Sequence, residues 1–273
     1  MNTRDMVNIA LKLAGLTEDT VDTEIACEGE DIHRVLAGID ISDTVMLAAK
    51  NMGYDCIAEH HGIFGKAMHI GDQMEKDQMM LMYKFGVPIN VAQKAIHERA
   101  MKESQRMHSK NLNRQPEFAK LINMPYIGLH TPADIIGQNI VQARMDKLNE
   151  QGPFVTLQDV VDALNEFPEI RNALQEPAIR VGDKDSYAGR ICVMYAGVTD
   201  GGPSVYNTFF DYGVGTLIVM HMSEDDIKAV AEHNKGNVII AGHMGSDSIG
   251  FNKIIEAWEQ AGLEVTRTGG IVI

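Results

Sequence analysis

No stretch of the 273-residue chain holds the roughly 20 consecutive apolar residues that a membrane-crossing helix requires. Positive charge is also scarce. Lys and Arg number 24 against 38 Asp and Glu, a formal charge of −14 that opposes nonspecific attraction to nucleic acid or anionic membranes. Only three cysteines occur, Cys27, Cys56 and Cys192, widely separated and without a C-x-x-C pair. They predict reduced core thiols rather than a disulfide framework. No G-x-S-x-G elbow is present, and His97-Glu98 lacks the second histidine of H-E-x-x-H, which removes support for serine-hydrolase and zincin chemistry. Neither a P-loop nor G-x-G-x-x-G appears, and the segments around the motifs described below carry no cationic cluster. The opening MNTRDMVNIALKLAGL reads as an amphipathic helix ending at Gly15, unlike a signal peptide, so a soluble, cytoplasmic protein is expected.

What is present is a globular composition, 45% apolar and 23% charged, with short apolar runs alternating with helical patterns. That alternation predicts an α/β fold with a mostly parallel sheet. The strand candidates are Val35–Asp40, Tyr54–Glu59, Pro125–Leu129, Ile191–Ala196, Thr216–Met220 and Asn237–Ala241. Residues 73–123 differ: they are Met-rich and helical in pattern, contain no strand, and read as an inserted arm whose methionines pack into a core. Within it, residues 97–114 carry Arg99, Lys102, Arg106, Lys110 and Arg114 interleaved with Glu98 and Glu103, read as a solvated helix face. A break at Gln151-Gly152-Pro153 suggests two lobes, residues 1–150 and 151–273.

The chemistry lies just beyond three strands, in DCIAE-HHG, YIGL-HTPAD and VIIAG-HMGSD. In open parallel sheets the strands' carboxyl ends share one edge, where loops are free to carry polar groups to a ligand. Histidine and aspartate delivered there form a donor set for zinc, manganese, iron or cobalt. His60, His61, Asp134, His243 and Asp247 are enough for two ions if a carboxylate is shared. Consecutive strand residues face opposite sides, so His60 and His61 need a sharp turn, which Gly62 would permit. His130 and Asp134 are four apart, as are His243 and Asp247, a spacing that puts each pair on one face of a helical turn. Taken singly, each motif is common; three at three strand ends are not.

These motifs resemble the HHP, HTNxD and GHxxSE motifs of the NIF3-like (Ngg-interacting-factor-like) family, and the likeness extends over most of the chain, including the opening helix and the GID segment at 38–40. The resemblance implies a two-lobed α/β architecture, a dinuclear metal centre and assembly as a homohexameric ring. It implies His60, His61, Asp134, His243 and Asp247 as ligands, and His130 as a residue that orients Asp134 or receives a proton. Gly62 stands where the family has Pro, and Asp247, one methylene shorter, where it has Glu.

Two further features lie at the expected edge. GVTDGGP at 197–203 could face an anion, although a plain turn explains it as well. His221 is a candidate proton carrier; Glu59 would face away from the site. The expected function is a metal-dependent hydrolase acting on a phosphoester, nucleotide or cyclic amide, with a GTP cyclohydrolase label attached to some members of the resembled family. The alternative is a metal-binding scaffold or regulatory ring without turnover.

Overall fold

Residues buried on both faces of a sheet must be apolar throughout, and this rule decides which strands the apolar pattern reveals. The computed structural model describes residues 1–197 and 200–273. In chain order its elements are α1 (Thr3–Ala14), β1 (Thr23–Cys27), β2 (Arg34–Gly38), α2 (Asp43–Asn51), β3 (Cys56–Glu59), a short 3-10 helix (Gly65–His69), α3 (Ile70–Lys84), α4 (Ile89–Met107), α5 (Arg114–Leu121), β4 (Tyr126–Leu129), α6 (His130–Asn149), α7 (Leu157–Leu164), α8 (Pro168–Arg171), β5 (Ala178–Val181), β6 (Ile191–Met194), α9 (Pro203–Asp211), β7 (Thr216–Val219), α10 (Glu224–His233), β8 (Asn237–Ile240), α11 (His243–Gln260) and β9 (Glu264–Thr268). One sheet runs β1-β4-β3-β2-β9, the other β5-β8-β7-β6. All neighbours are parallel except β1 against β4 and β5 against β8.

The chain is therefore α/β, as expected, and each of the six expected strands is present. The three strands that the apolar pattern did not show are β1, β5 and β9, and every one is a sheet edge. Their residues are only partly buried, whereas β3, β4 and β7, and also the remaining edge strand β6, are buried throughout.

Contacts group the described chain into two units, residues 1–70, 104–136 and 247–271 in one, and 71–103, 137–246 and 272–273 in the other. The turn expected near residue 150 is there, with Gly152 at φ 114. Contacts divide the chain elsewhere, because β9, at its far end, pairs in register with β2 from Arg34↔Glu264 to Gly38↔Thr268. In the first unit Leu36, Met46, Ile57, Phe64 and Tyr126 form an apolar core. Trp258 is fully buried and its indole N–H donates to the Met6 carbonyl at 3.1 Å. The arm is helical (α3 to α5); Met74 and Met82 are buried in the second unit's core, so part of its methionine content is packing, while Met80 and Met101 are exposed. No helix among the described residues is long and apolar enough to cross a membrane.

Candidate metal centre

The register of the first sheet explains why two motifs far apart in sequence meet. β3 and β4 are parallel neighbours, with Glu59 opposite Gly128, so His60 and His130 leave the sheet at the same edge. Their rings stack at 4.7 Å and 6°. His61, at a bend just past β3, tilts its ring 39° to that of His60 at 4.8 Å, so the consecutive histidines do share one site. Gly62 serves that bend differently from the expectation. Its φ is not in the left-handed region; instead a Cβ there would come within 2.9 Å of the Phe64 ring and 3.2 Å of Gly128 Cα. Close packing against β4, not backbone freedom, is what this position requires.

His130 begins α6, with Pro132 in its first turn, where a missing N–H costs no helical hydrogen bond. Asp134 follows one turn later and returns Oδ2 to 3.3 Å from His130 Nδ1, while its Oδ1 lies 3.3 Å from His60 Nε2. Asp247, on α11, places Oδ1 3.6 Å from His60 Nε2 and Oδ2 3.3 Å from His61 Nε2. Within residues 1–136 and 247–271, two groups have the spacing of a metal site, His60 with His61 and His130, and His60 with Asp134 and Asp247.

The rings are held from behind. His60 Nδ1 lies 3.3 Å from the Leu129 carbonyl, which assigns a proton to Nδ1 and turns Nε2 toward the two carboxylates. His61 Nδ1 lies 2.9 Å from Asp40 Oδ1 and is assigned the same tautomer, again turning Nε2 inward. An imidazole oriented through its outer nitrogen is the common arrangement of a metal ligand. A third pair surrounds His130, whose Nδ1 is 3.2 Å from Asp22 Oδ2. Asp22 also accepts from the hydroxyls of Thr20 at 2.6 Å and Thr131 at 2.8 Å.

His60 Nε2, His130 Nδ1 and Asp134 Oδ1 are buried, and their nearest polar neighbours, at 3.2–3.6 Å, are the other ionisable groups of the cluster, with no well-aligned hydrogen bond among the described residues. Such atoms are costly to bury unless something else satisfies them. Burial acts to lower the His60 pKa, but the Asp247 and Asp134 carboxylates outweigh it and raise it well above its ordinary value. At His130 burial likewise opposes a net rise produced by Asp134 and Asp22. Burial would raise Asp22, and His130 with the two threonine hydroxyls brings it below the ordinary range instead. In chemical terms the cluster calls for positive charge, which protons supply in the metal-free chain and a divalent cation would supply in a loaded one. The donor set fits such a cation.

No family model matches the chain, and no curated protein does. Solved structures do. A NIF3 superfamily protein from Sphaerobacter thermophilus shares 32% identity over 99% of this chain and 98% of its own, with a TM-score of 0.95. This chain belongs to the NIF3 superfamily. Reduced HcgD from Methanocaldococcus jannaschii (13% identity, 98% and 97% coverage, TM-score 0.58) and a Bacillus cereus protein related to NIF3 (10%, 98% and 96%, 0.53) share the fold.

Among the expected residues of this NIF3 chain, the first unit brings together His60, His61, His130, Asp134 and Asp247. His243 opens α11, four residues and one helical turn before Asp247, and belongs to the second unit. There its ring meets that of His221 edge-on at 4.7 Å, and His221 Nδ1 is 3.1 Å from Asp200 Oδ1. His221 follows β7, half exposed. Glu59 is turned away: Oε1 accepts from the Ile41 N–H at 2.8 Å and Oε2 from the Tyr126 hydroxyl, and burial pushes its pKa up to about 7. Of the 197–203 loop, Val198 and Thr199 lie outside the described residues.

Two site residues had no motif to announce them. Asp22 precedes β1, whose antiparallel pairing (Thr23↔Leu129) brings its first residue to the edge where β4 ends. Asp40 follows β2, parallel to β3, and only its place in GID hinted at a role. The expected absence of a cationic cluster beside the site is also overturned: Arg106, Lys110 and Arg114 line a cleft together with His61. They come from the end of α4 and the start of α5, which sequence separates from every His motif.

Proposed function

We propose that this chain is a metal-dependent hydrolase in which His60, His61, Asp134, His243 and Asp247 would hold two divalent ions. The observation that carries the reading is the placement of Asp247: each carboxylate oxygen faces a different imidazole, despite a side chain one methylene shorter than glutamate. His243 enters through its spacing, since a residue one turn before Asp247 on the same helix shares its face. Such ions, when bound, would supply Lewis acidity toward a phosphoryl, carbonyl or ring C=N group and would lower the pKa of water.

The chain's own residues do the rest. Leu129 and Asp40 fix the tautomers of His60 and His61, so no ring reorientation is needed when substrate arrives. His130, placed between Asp22 and Asp134, aligns the Asp134 carboxylate and carries a proton it can hand on. His221, paired with Asp200 and half open to solvent, is a second proton carrier.

The test is turnover of aryl phosphoesters, nucleotides and cyclic amides by full-length protein that has been stripped with chelator and then resupplied with zinc, manganese, iron or cobalt. Hydrolysis of one class is expected to fall at least 100-fold on stripping and to return with metal. His130→Gln is expected to lower kcat by about 100-fold, within the range for losing a general acid or base. Metal at full stoichiometry with no turnover of any class would favour the scaffold reading.

A further inference from the structure

The cleft beside His61 has a volume of about 440 Å³ and is lined by Arg106, Lys110, Asn111, Arg114 and Gln115 with no carboxylate among its lining residues. In a chain of net charge −14, three cations gathered against one histidine of the candidate centre call for a cause. Helix electrostatics explain part of it. Arg106 lies in the last turn of α4 and Lys110 just past it, where the carbonyl end of a helix favours positive charge. Arg114 is opposite in sense: it is the first residue of α5, where a cation is disfavoured. Its ion pair with Asp43 is 3.7 Å long and exposed at both ends, an arrangement that contributes little. Asn113, at the cap of α5, makes no side-chain capping hydrogen bond, so the first-turn N–H groups are not taken up by it. Lys110 has no carboxylate partner among the described residues. Gln115 is anchored by donating to the Ile41 carbonyl at 2.7 Å, which ties the start of α5 to the segment after β2 that carries Asp40.

We propose that this cleft is the anion subsite of the centre, and that the substrate is a small phosphomonoester whose phosphate is held by Arg106, Lys110 and Arg114 beside His61. The inference rests on the hydrolase reading above and narrows its substrate class: a neutral cyclic amide has no use for three cations. Guanidinium and ammonium donors suit phosphate oxygens, with arginine adding paired hydrogen bonds. A volume of about 440 Å³ is near the lower end of ligand pockets, roughly 300–1,000 Å³, and suits one small metabolite rather than a polymer.

The probe is phenylphosphonate, whose P–C bond resists hydrolysis, titrated calorimetrically into manganese-supplemented full-length protein, with the metal content of every sample measured in parallel. Wild type is expected to bind it, more weakly as salt rises, and to ignore the neutral cyclic amide 2-piperidone. The Lys110→Gln/Arg114→Gln double variant is expected to lose binding by about tenfold for each cation removed. Its metal content should be unchanged, and a Lys12→Gln/Lys253→Gln control should bind like wild type. Equal binding by the double variant, or no binding by wild type, with metal present, would overturn the subsite and leave the metal reading standing. Phenylphosphonate binding that depends on Lys110 and Arg114 in protein that takes up no metal would support the subsite and remove the hydrolase reading.

Discussion

His60→Ala is expected to lower the affinity for divalent cations by 100-fold or more. The imidazole is fully buried, and its Nε2 lies within 3.6 Å of carboxylates from both α6 and α11. Loss of a residue that merely orients a ligand costs about 10- to 100-fold in metal affinity, and a ligand that belongs to two of the groups with metal-site spacing should cost more. Removing the ring also leaves Asp134 and Asp247 buried without the cation that balances them, so the metal-free variant should unfold at lower temperature than the metal-free wild type. Competition against a chromogenic chelator measures the first effect and thermal unfolding in chelator the second. Wild-type affinity in His60→Ala would mean that the cluster is a structural ion-pair network.

Gly128→Ala should be about as damaging by a different route. A methyl at Gly128 would overlap the Gly62 carbonyl and stand 3.0 Å from the Phe64 ring. The first obstacle is backbone, which no side-chain rotation relieves, so either β4 or the bend after His61 must move. Forced overpacking of this kind costs about 1–3 kcal/mol, more where the backbone resists. At about 2–4 °C per kcal/mol for a chain near this size, the melting temperature in chelator should fall by roughly 2–12 °C. Because the displaced bend carries His61, metal affinity should fall along with stability. A variant that melts like wild type would show that the β4–Gly62 contact is loose. Gly86→Ala is the contrast: φ is +94, but no atom lies within 4 Å of the added methyl, so it tests backbone strain alone.

How much of this was legible depended on whether the signal was local. Strands buried on both faces announce themselves as apolar runs, and β2, β3, β4, β6, β7 and β8 were readable for that reason. Edge strands such as TEIAC, AIRV and EVTRT bury only part of their residues and resemble loops until a partner strand is known. The His and Asp motifs were legible because they follow readable strands. Asp22 was not, since it precedes an edge strand that runs antiparallel to the rest, and the sequence gives no sense of direction for a strand it does not reveal. Gly62 shows a subtler limit: the residue pointed to a turn, but the reason for glycine is a neighbour 66 positions away, Gly128. The Arg106-Lys110-Arg114 cluster reads as part of a solvated helix face from sequence, and only the path of α4 and α5 places it beside His61.

The central claim is that the His and Asp cluster holds metal, and elemental analysis tests it most directly. The protein should be purified without chelator and without a histidine-rich tag, supplemented with zinc, manganese, iron and cobalt in turn, and freed of unbound ions. Two equivalents of at least one metal per chain in wild type, falling below one in His60→Ala, is the expected result. Near-zero metal in wild type after every supplementation would contradict the account, leaving His60, Asp134 and Asp247 as a buried network balanced by protons alone.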